Sequence, residues 1–496
     1  MTISRANRRL SRRRLLQAAC GPWLLAGAPQ PPQARHAILE ENRRPGTVEW
    51  QLKHYAFDRA SGSGLRSPRL EGFVSDVSVY PGQKLAFLIS SDPPRPFTID
   101  LYRTGFYGGK GGRHLLHLGP FQGRTQAVPL MGLERVRECA WKSDTEITIP
   151  EDWTSGVYLG KLSLVGEPVQ SYVIFIVKRK GPADFLFQVG DLTWQAYNKW
   201  PGWDSLYDDG LPKLNNGYSY TGPNVRVSFD RPYAQYGQVH EVALSLGSGE
   251  YLLWEFPLAF WMEQKGYDLA YCSNLDIERD PDLLRRCRIF LSVGHDEYWT
   301  RGMYENVKAA RDRGVSLAFL SGNSVYHTIV TYPGTATGAP LRAFARLVRF
   351  QDEHLLMGAR SFGSGYGDWT VVQAGHWIFQ GAGMRNGDSI PGLVGWEYHG
   401  DPADLPGLEV VASAQLNPFS RREATTGRFA ATVYPGPKGN WVFNAGTIWW
   451  SEGLSNPPGH VPAASRLGRT LGVDERVRKI TENFFSRCLR ESPIGW

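Results

Sequence analysis

Residues 288–320 have the sequence RIFLSVGHDEYWTRGMYENVKAARDRGVSLAFL, in which two apolar runs flank a helical pattern. The runs 288–293 and 315–320 have the length and composition of buried strands, and residues 303–313 have the apolar spacing of a helix. Gly314 directly follows the helical pattern and predicts its end. Strands that alternate with helices in this way predict a parallel sheet with helices on its faces, whose ligands bind at the carboxyl ends of the strands.

The same alternation continues on both sides of this passage and predicts one α/β domain over residues 181–496. Its other predicted elements are strands at 185–189, 268–272, 408–412, 429–434 and 441–445, and helices at 256–264 and 475–489. Residues 67–180 instead contain short runs with a period of two, separated by turns and without helices between them. These runs predict an antiparallel β-sandwich. The expected fold class is therefore an all-β domain followed by an α/β core with a parallel sheet.

The first 28 residues differ from the rest of the chain in charge and hydropathy. They carry six arginines and no acidic residue, and residues 15–28 are largely apolar. The sequence SRRRLLQ at 11–17 is typical of a twin-arginine signal peptide and predicts export of the folded chain by the twin-arginine translocase. The apolar run is shorter than the ~20 residues that span a bilayer. We therefore expect a periplasmic or secreted protein without a stable membrane span, in which residues 29–66 are a linker.

The charge and the cysteines exclude other classes of protein. The formal net charge of +7 includes the six arginines of the signal, so the remaining chain is close to neutral and a nucleic-acid partner is not expected. Four cysteines remain beyond the signal, without a CxxC or other metal-binding spacing: Cys139, Cys272, Cys287 and Cys488. We expect buried, unreactive thiols, and one disulfide in an oxidising compartment stays open.

Polar side chains follow three of the predicted strands. GDLTWQAYN follows one strand at 190–198, GHDEYW follows the next at 294–299, and SGNS follows the third at 321–324. The carboxyl ends of the strands in such a sheet form its ligand-binding edge, so these segments are the candidate site. GHDEYW is the densest of the three, since it combines an imidazole, two carboxylates and a phenol.

Two structural alternatives stay open for these segments. Asp296 could cap a helix N-terminus, with Glu297 interacting favourably with the helix dipole. Asn323 could serve only to form a turn after Gly322. The chain contains neither an HExxH nor a GxSxG motif, and none of its cysteines follows a strand in a glycine-flanked turn. Covalent catalysis by a serine or cysteine is therefore not predicted.

Six motifs occur in this order along the predicted α/β domain: TWQAYN at 193–198, SFDRPY at 228–233, GHDEYW at 294–299, LSGN at 320–323, GLVGWEYHG at 392–400 and NAGTIWWSEGL at 444–454. Together they resemble the catalytic C-terminal region of the large (beta) subunit of N,N-dimethylformamidase and its relatives, over about 181–490. The resemblance implies a core like the class I glutamine amidotransferase fold without its cysteine nucleophile. The β-rich segment before it resembles the sandwich that precedes that core in the family.

The resemblance also implies a mononuclear ferric iron (Fe³⁺) held by two tyrosinates and one glutamate. Glu297 matches the carboxylate ligand and Tyr197 the first tyrosinate. For the second tyrosinate, Tyr207 is the first choice and Tyr233 the reserve. Phenolate and carboxylate oxygens are hard, anionic donors that suit ferric iron. The polar residues that match the lining of the family's site, and are expected to be catalytic, are His295, Asn323 and Glu397.

The expected reaction is hydrolysis of an amide-type C–N bond in a small substrate. A metal with open positions would act as a Lewis acid, Glu397 or His295 would move a proton to the departing amine, and Asn323 would donate to the developing oxyanion. Two other functions stay open: a non-catalytic envelope or glycan-binding protein with a degenerate core, and a metal enzyme that cleaves a peptide, urea or sugar derivative. The sequence also leaves open the signal cleavage site, a homo-oligomer and a small partner subunit.

Overall fold

The computed structural model describes residues 37–54, 66–208, 224–234, 251–395, 397–418, 427–460, 464–465, 469–470 and 472–495. The predicted signal peptide at 1–28 lies outside the described residues, so its prediction is not tested. Within the described ranges, every helix is too short or too polar to cross a membrane.

The first region is the chain before residue 181, and its described residues, 37–54 and 66–180, contain one short α-helix and eight strands. These are α1 (Ala37–Asn42), β1 (Glu71–Val74), β2 (Ser78–Val79), β3 (Lys84–Ser90), β4 (Phe97–Thr104), β5 (Gly112–Phe121), β6 (Thr145–Thr148), β7 (Gly156–Leu164) and β8 (Gln170–Val177). They form a three-stranded sheet in the order β1-β3-β6 and a five-stranded sheet in the order β2-β8-β7-β4-β5. All neighbours are antiparallel except β2 and β8, which run parallel.

Strand β7 of the five-stranded sheet is buried on both faces, and successive side chains of a strand point to opposite sides. On β7, Tyr158 and Leu162 pack into the apolar cluster shared with the three-stranded sheet. Their neighbours Val157 and Leu159 pack into a larger cluster that includes Phe187 of the second region. The alternation of apolar residues in β7 therefore attaches the first region to the second.

The second region is the chain from residue 181 onward, and its described residues contain the other strands and α-helices. Its strands are β9 (Ala183–Val189), β10 (Arg226–Ser228), β11 (Leu269–Ser273), β12 (Cys287–His295), β13 (Tyr298–Thr300), β14 (Ser316–Gly322), β15 (His327–Tyr332), β16 (Ala343–Arg349), β17 (Ala359–Thr370), β18 (Ser389–Val394), β19 (Glu397–Pro402), β20 (Glu409–Gln415), β21 (Asn417–Pro418), β22 (Arg428–Pro435), β23 (Trp441–Asn444), β24 (Ala464–Ser465) and β25 (Arg469–Thr470). Its helices are α2 (Asp191–Tyr197), α3 (Phe256–Gln264), α4 (Asn274–Arg279), α5 (Arg301–Arg313), α6 (His354–Met357) and α7 (Glu475–Glu491), and a π-helical turn (Tyr251–Glu255) precedes α3.

An eleven-stranded sheet forms the centre of this region. Its path is β11-β9-β12-β14-β23-β22-β19-β17-β18, with β20 beside β22 and β21 beside β17. The strands from β11 to β23 are parallel to one another, and the remaining pairs are antiparallel. The prediction of a mixed α/β, strand-rich chain is thus confirmed. The sandwich and the glutamine amidotransferase-like core stay predictions.

A smaller sheet lies next to the site and has the strand order β10-β16-β15-β13. The chain passes from β12 of the large sheet directly into β13 of the small one, with Asp296 and Glu297 between the two strands. Glu297 therefore lies where the two sheets meet, and side chains from both can reach it.

Part of the predicted linker is folded against the first region. Trp50 is fully buried, and its indole N–H donates to the carbonyl of Lys110 at 3.0 Å. In α1, the Glu41 carboxylate accepts from Arg113 at 2.6 Å and from the Tyr107 hydroxyl at 2.7 Å. These contacts join residues far apart in sequence, so the composition of this segment gave no indication of them.

The four cysteines of the described chain, Cys139, Cys272, Cys287 and Cys488, are all buried and free. Burial raises the pKa of each thiol. The expectation of buried, unreactive thiols is confirmed, and no disulfide forms among these four residues.

Candidate metal and catalytic site

The ends of three parallel strands meet at one edge of the large sheet, as the sequence predicts. β12 pairs with β14 so that His295 lies opposite Gly322, and β12 pairs with β9 so that Ser292 lies opposite Gln188. The segments that follow these strands therefore start side by side. On the antiparallel side of the same sheet, β19 begins at Glu397.

Glu297 is the centre of the site and is 1% exposed. The Tyr197 hydroxyl donates to its Oε2 at 2.7 Å, and the Tyr207 hydroxyl donates to its Oε1 at 3.0 Å. The two phenol oxygens are 3.4 Å apart, and the two rings are stacked with 4.9 Å between their centroids. The structure thus brings together the three oxygen donors that the family resemblance implies.

Tyr233, the alternative second tyrosine, lies elsewhere. Its ring packs against Trp194, with 6.4 Å between the ring centroids. Tyr207 reaches Glu297 because the irregular segment after α2 folds back onto that helix, where the Leu206 N–H donates to the Ala196 carbonyl at 2.9 Å. Of the two candidates, the structure places Tyr207 in the site and leaves Tyr233 in the surrounding core.

A second set of donors shares Glu297 with the first. The Nε2 atom of His295 lies 2.6 Å from Oε2 of Glu397 and 3.4 Å from Oε2 of Glu297. One ligand atom from each of these three buried residues lies within 4.8 Å of the others, so this triad could hold a metal ion. His295 therefore bridges the two carboxylates and connects the phenol cluster to Glu397.

Three further residues of the site were not singled out from the sequence. Tyr298 hydrogen-bonds through its hydroxyl to that of Tyr207, His327 Nδ1 lies 2.9 Å from Oε1 of Glu297, and the Arg346 guanidinium lies 4.8 Å from the centre of the Tyr207 ring. Tyr298 belongs to GHDEYW, so the motif itself could have indicated it. His327 and Arg346 lie on β15 and β16, which the sequence analysis did not predict.

The chain next to Glu297 is held by several buried hydrogen bonds. The Glu297 N–H donates to Thr193 Oγ1 at 3.0 Å. The Asp296 carboxylate accepts from the side chains of Gln188, Asn274 and Ser292 at 2.7, 2.8 and 2.7 Å. Burial raises the pKa of Asp296 to about 6, against the opposing effect of these hydrogen bonds. Asp296 therefore fixes the turn that presents Glu297.

The alternative in which Asp296 caps a helix is wrong. The next helix, α5, begins at Arg301, and its N-cap is Thr300, whose side chain accepts from the Met303 N–H at 3.0 Å. A three-residue strand, β13, separates Asp296 from this helix. The pairing of β13 with β15 in the smaller sheet delays the start of the helix, and a local pattern could not show this.

Asn323 adopts a left-handed backbone conformation, with a φ of 52°, directly after β14. It is 3% exposed, and its Oδ1 atom has no hydrogen-bond partner within the described part of the chain. The next residues bind the site through the main chain, since the N–H groups of Val325 and Tyr326 donate to the carbonyls of Asp296 and Glu297 at 3.1 and 2.9 Å. Asn323 therefore lies in a turn that is bonded to the segment that carries Glu297.

The pKa of the Glu297 carboxylate and the pKa values of the Tyr197 and Tyr207 phenols are shifted in opposite directions. Burial acts to raise the pKa of Glu297, but hydrogen bonds and charge from His295 and His327 outweigh it and hold that pKa below its usual value. Burial, followed by the negative charge of Glu297, raises the pKa of the Tyr197 and Tyr207 phenols well above the usual value. Without a cation, the arrangement is one carboxylate that accepts from two phenols.

Comparison with known proteins places this site in a family. A sequence model described as N,N-dimethylformamidase beta subunit-like, C-terminal, matches residues 98–462, which include every site residue described above. The chain belongs to this family. The match begins within β4, so the family region also includes most of the β-rich first region, whereas the motifs identified from the sequence begin only at 193.

Two relatives carry the same family name. The N,N-dimethylformamidase beta subunit of Alcaligenes sp is 24% identical over 226 residues, and that of Paracoccus aminophilus is 25% identical over 226 residues. Each match covers 40% of this chain and 29% of the relative, so the chain spans less than a third of the length of either.

The solved structure of the alkylpurine DNA glycosylase AlkC from Pseudomonas fluorescens, bound to DNA containing an abasic site analog, also matches part of the chain. It has a TM-score of 0.15 and 14% identity, and the match covers 22% of this chain and 31% of AlkC. A similarity at this level carries no argument about fold or function.

Proposed function

We propose that this chain is an exported, iron-dependent hydrolase that cleaves the amide-type C–N bond of a small substrate. One observation carries the proposal: the Tyr197 and Tyr207 hydroxyls both lie on the carboxylate of Glu297, and this carboxylate is 3.4 Å from the imidazole that contacts Glu397. Metal donors and groups able to transfer protons are therefore adjacent in one buried site.

The chemistry of the donor set fits ferric iron. Three oxygens from three side chains converge, and oxygen donors that can become anionic suit a hard cation. Glu297, Tyr197 and Tyr207 would hold the ion. Burial and the nearby carboxylate disfavour ionised phenols in this site, and a bound cation favours them by supplying the dominant local charge. When bound, the metal would supply Lewis-acid polarisation of the substrate carbonyl.

The chain's own residues would bind the substrate and move the proton. His295 Nε2 and Glu397 Oε2 are 2.6 Å apart, within hydrogen-bond distance, so a proton can pass between them. This pair would take a proton from the water that attacks the substrate carbonyl carbon and deliver it to the departing amine nitrogen as the C–N bond breaks. Asn323 would donate its amide N–H to the developing oxyanion, and such a donor contributes roughly 3 kcal/mol of transition-state stabilisation.

Location outside the cytoplasm is part of the proposal. It is supported by the SRRRLLQ sequence at 11–17 and the apolar residues after it. Export of an already folded chain allows iron to be bound before translocation, which is consistent with a buried site. The relatives are named for N,N-dimethylformamide, so this compound and other small amides are the first substrates to test.

Iron content and visible absorption of the exported protein test the proposal. We expect about one iron per chain and a tyrosinate-to-iron charge-transfer band that is lost in Tyr197→Phe. We also expect amine release from at least one small amide. Glu297→Ala should lose both the iron and the activity, and if it keeps both, the proposed site is wrong. A colourless protein that cannot be reconstituted with iron would instead support the non-catalytic binding protein.

A further inference from the structure

The two tyrosines of the site are joined by a segment that is buried but irregular. Residues 198–208 form neither helix nor strand, yet most of them are buried. Backbone carbonyl groups in such a segment lack the partners that a helix or sheet would supply, and leaving them unpaired costs free energy. The position of the Tyr207 hydroxyl therefore depends on what binds these carbonyls.

Arg231 binds three carbonyls of this segment and one of the helix before it. Its side chain is fully buried, and its Nη1 donates to the carbonyls of Trp200 and Asp204 at 2.8 and 3.0 Å. Its Nη2 donates to the carbonyls of Gln195 and Asn198 at 3.2 and 3.0 Å. Four carbonyls between residues 195 and 204 thus converge on one guanidinium group.

The fifth N–H of Arg231 is also used. Nε donates to the Ser228 carbonyl and to the side-chain oxygen of Gln195, each at 3.2 Å. A guanidinium has five N–H groups in a rigid plane, whereas a lysine ammonium has three around one point. Only arginine can therefore satisfy this set of acceptors from one position.

Burying the Arg231 guanidinium costs free energy, because no carboxylate binds it. All its hydrogen-bond acceptors are neutral oxygens, and the nearby Asp204 carboxylate pairs instead with Arg137, at 3.0 Å. Burial accordingly lowers the pKa of Arg231 to about 10. A charge buried without a bonded carboxylate is unfavourable. The hydrogen bonds that Arg231 makes to the four carbonyls are the interaction that offsets this cost.

Other buried contacts fix the same segment but do not replace Arg231. Lys199 and Asp208 form a fully buried ion pair at 2.5 Å, which closes the segment on itself. The Trp200 indole N–H donates to Glu71 of the first region at 2.8 Å. The main chain adds a bond from the Leu206 N–H to the Ala196 carbonyl at 2.9 Å. Arg231 differs from these contacts in that one side chain binds three carbonyls between Tyr197 and Tyr207 and that of Gln195 just before them.

We infer that Arg231 is a positioning residue that sets the distance between the Tyr197 and Tyr207 hydroxyls by binding the backbone that joins them. The inference rests on the proposed function, in which the Tyr197 and Tyr207 hydroxyls are the two phenolic metal donors. Arg231 touches neither tyrosine hydroxyl through its hydrogen bonds. It acts through the carbonyls of residues 195–204.

The test compares Arg231→Met and Arg231→Lys with the control Arg226→Met. Arg226 lies on β10 five residues earlier and pairs with Glu134 at 2.7 Å. Its substitution therefore removes a cation without removing a contact to residues 198–208. In the exported protein, we expect Arg231→Met to lower iron affinity about 10- to 100-fold, as for other partners that orient metal ligands. The charge-transfer band should shift or weaken, Arg231→Lys should be intermediate, and Arg226→Met should match the wild type.

A second measurement does not depend on iron. Lys199 is fully buried in the wild type, so trypsin should not cut after it in the folded, metal-free protein, and Arg231→Met and Arg231→Lys should become sensitive there. If Arg231→Met does not fold, Arg231→Lys decides both measurements.

The outcomes separate this inference from the proposed function. A wild type without iron, combined with cleavage at Lys199 in the Arg231 variants alone, removes the proposed function and keeps the positioning role. Arg231 variants with wild-type iron affinity, band and protease resistance overturn the inference, whatever the wild type binds.

Discussion

Two regions supply the donors of the site, and they hold them in different ways. His295 is the last residue of β12 and Glu297 follows it, and seven residues of β12 pair in register with β14, so the sheet fixes the main chain there. Tyr207 lies in an irregular segment whose carbonyls are bound by Arg231. A strand end places a side chain through backbone pairing, whereas the irregular segment needs a buried cation from a distant position. We therefore expect substitutions to act differently in the two regions.

The largest effect is expected for Glu297→Gln, on the strand-end side. The amide keeps the shape but removes the charge that both phenols face. Removing one partner from a buried charged cluster costs ~3–5 kcal/mol, so iron affinity should fall about 10²- to 10⁴-fold. Iron titration followed by visible absorption measures this. Unchanged affinity would place the metal away from Glu297.

Asp191, the first residue of α2, provides a test that depends on pH. Burial raises its pKa to about 8, from 3.8. Its Oδ1 accepts from the Asn274 N–H at 2.8 Å, while Oδ2 has no partner among the described residues. Because the folded pKa is the higher one, this carboxyl stabilises the fold below about pH 4, and that stability is lost as the pH rises towards 8.

Asp191→Asn should remove this dependence. The free energy of unfolding of the variant, relative to the wild type, should rise between pH 5 and 8 by up to about 1.4 kcal/mol per pH unit. Urea unfolding at four pH values in this range measures the difference. A difference that stays constant with pH would show that Asp191 is already ionised in the fold.

The next effect separates the two tyrosines that the sequence left open. Tyr207→Phe removes a hydroxyl that donates to a charged group, and such a bond contributes ~1.5–3 kcal/mol, so iron affinity should fall about 10- to 100-fold. Tyr233→Phe is the matched control, since that ring packs against Trp194 and not in the site. Absorption spectra of the two iron-loaded variants make the comparison. The reverse result would assign the second phenolate to Tyr233.

The smallest effect is expected for Thr300→Ala at the start of α5. Loss of the N-cap hydrogen bond to Met303 should lower the free energy of unfolding by about 1 kcal/mol. Iron affinity should not change, because Thr300 is the last residue of β13 and lies at the end of that strand away from Glu297. If iron binding weakened as much as stability, the helix start and the site would not be independent. Urea unfolding and iron titration of the same preparation distinguish these outcomes.

The sequence alone determined the parallel strands and the residues at their ends. The predicted strands 288–293 and 315–320 correspond to Cys287–His295 and Ser316–Gly322, because a parallel strand buried on both faces is a continuous apolar run. The segments that carry Tyr197, His295 and Glu297 follow from the same pattern, since each begins just beyond such a run, and the family resemblance selected these residues within them. The short-range pattern of apolar residues was sufficient to predict these strands and the segments at their ends.

Tertiary structure alone decided the rest of the site. The choice of Tyr207 over Tyr233 depends on a segment without periodicity, whose conformation is fixed by Arg231 from outside it. His327 and Arg346 reach the site only because a second sheet packs beside the first. Such placements depend on contacts between residues far apart in the chain, and a local sequence pattern does not contain that information.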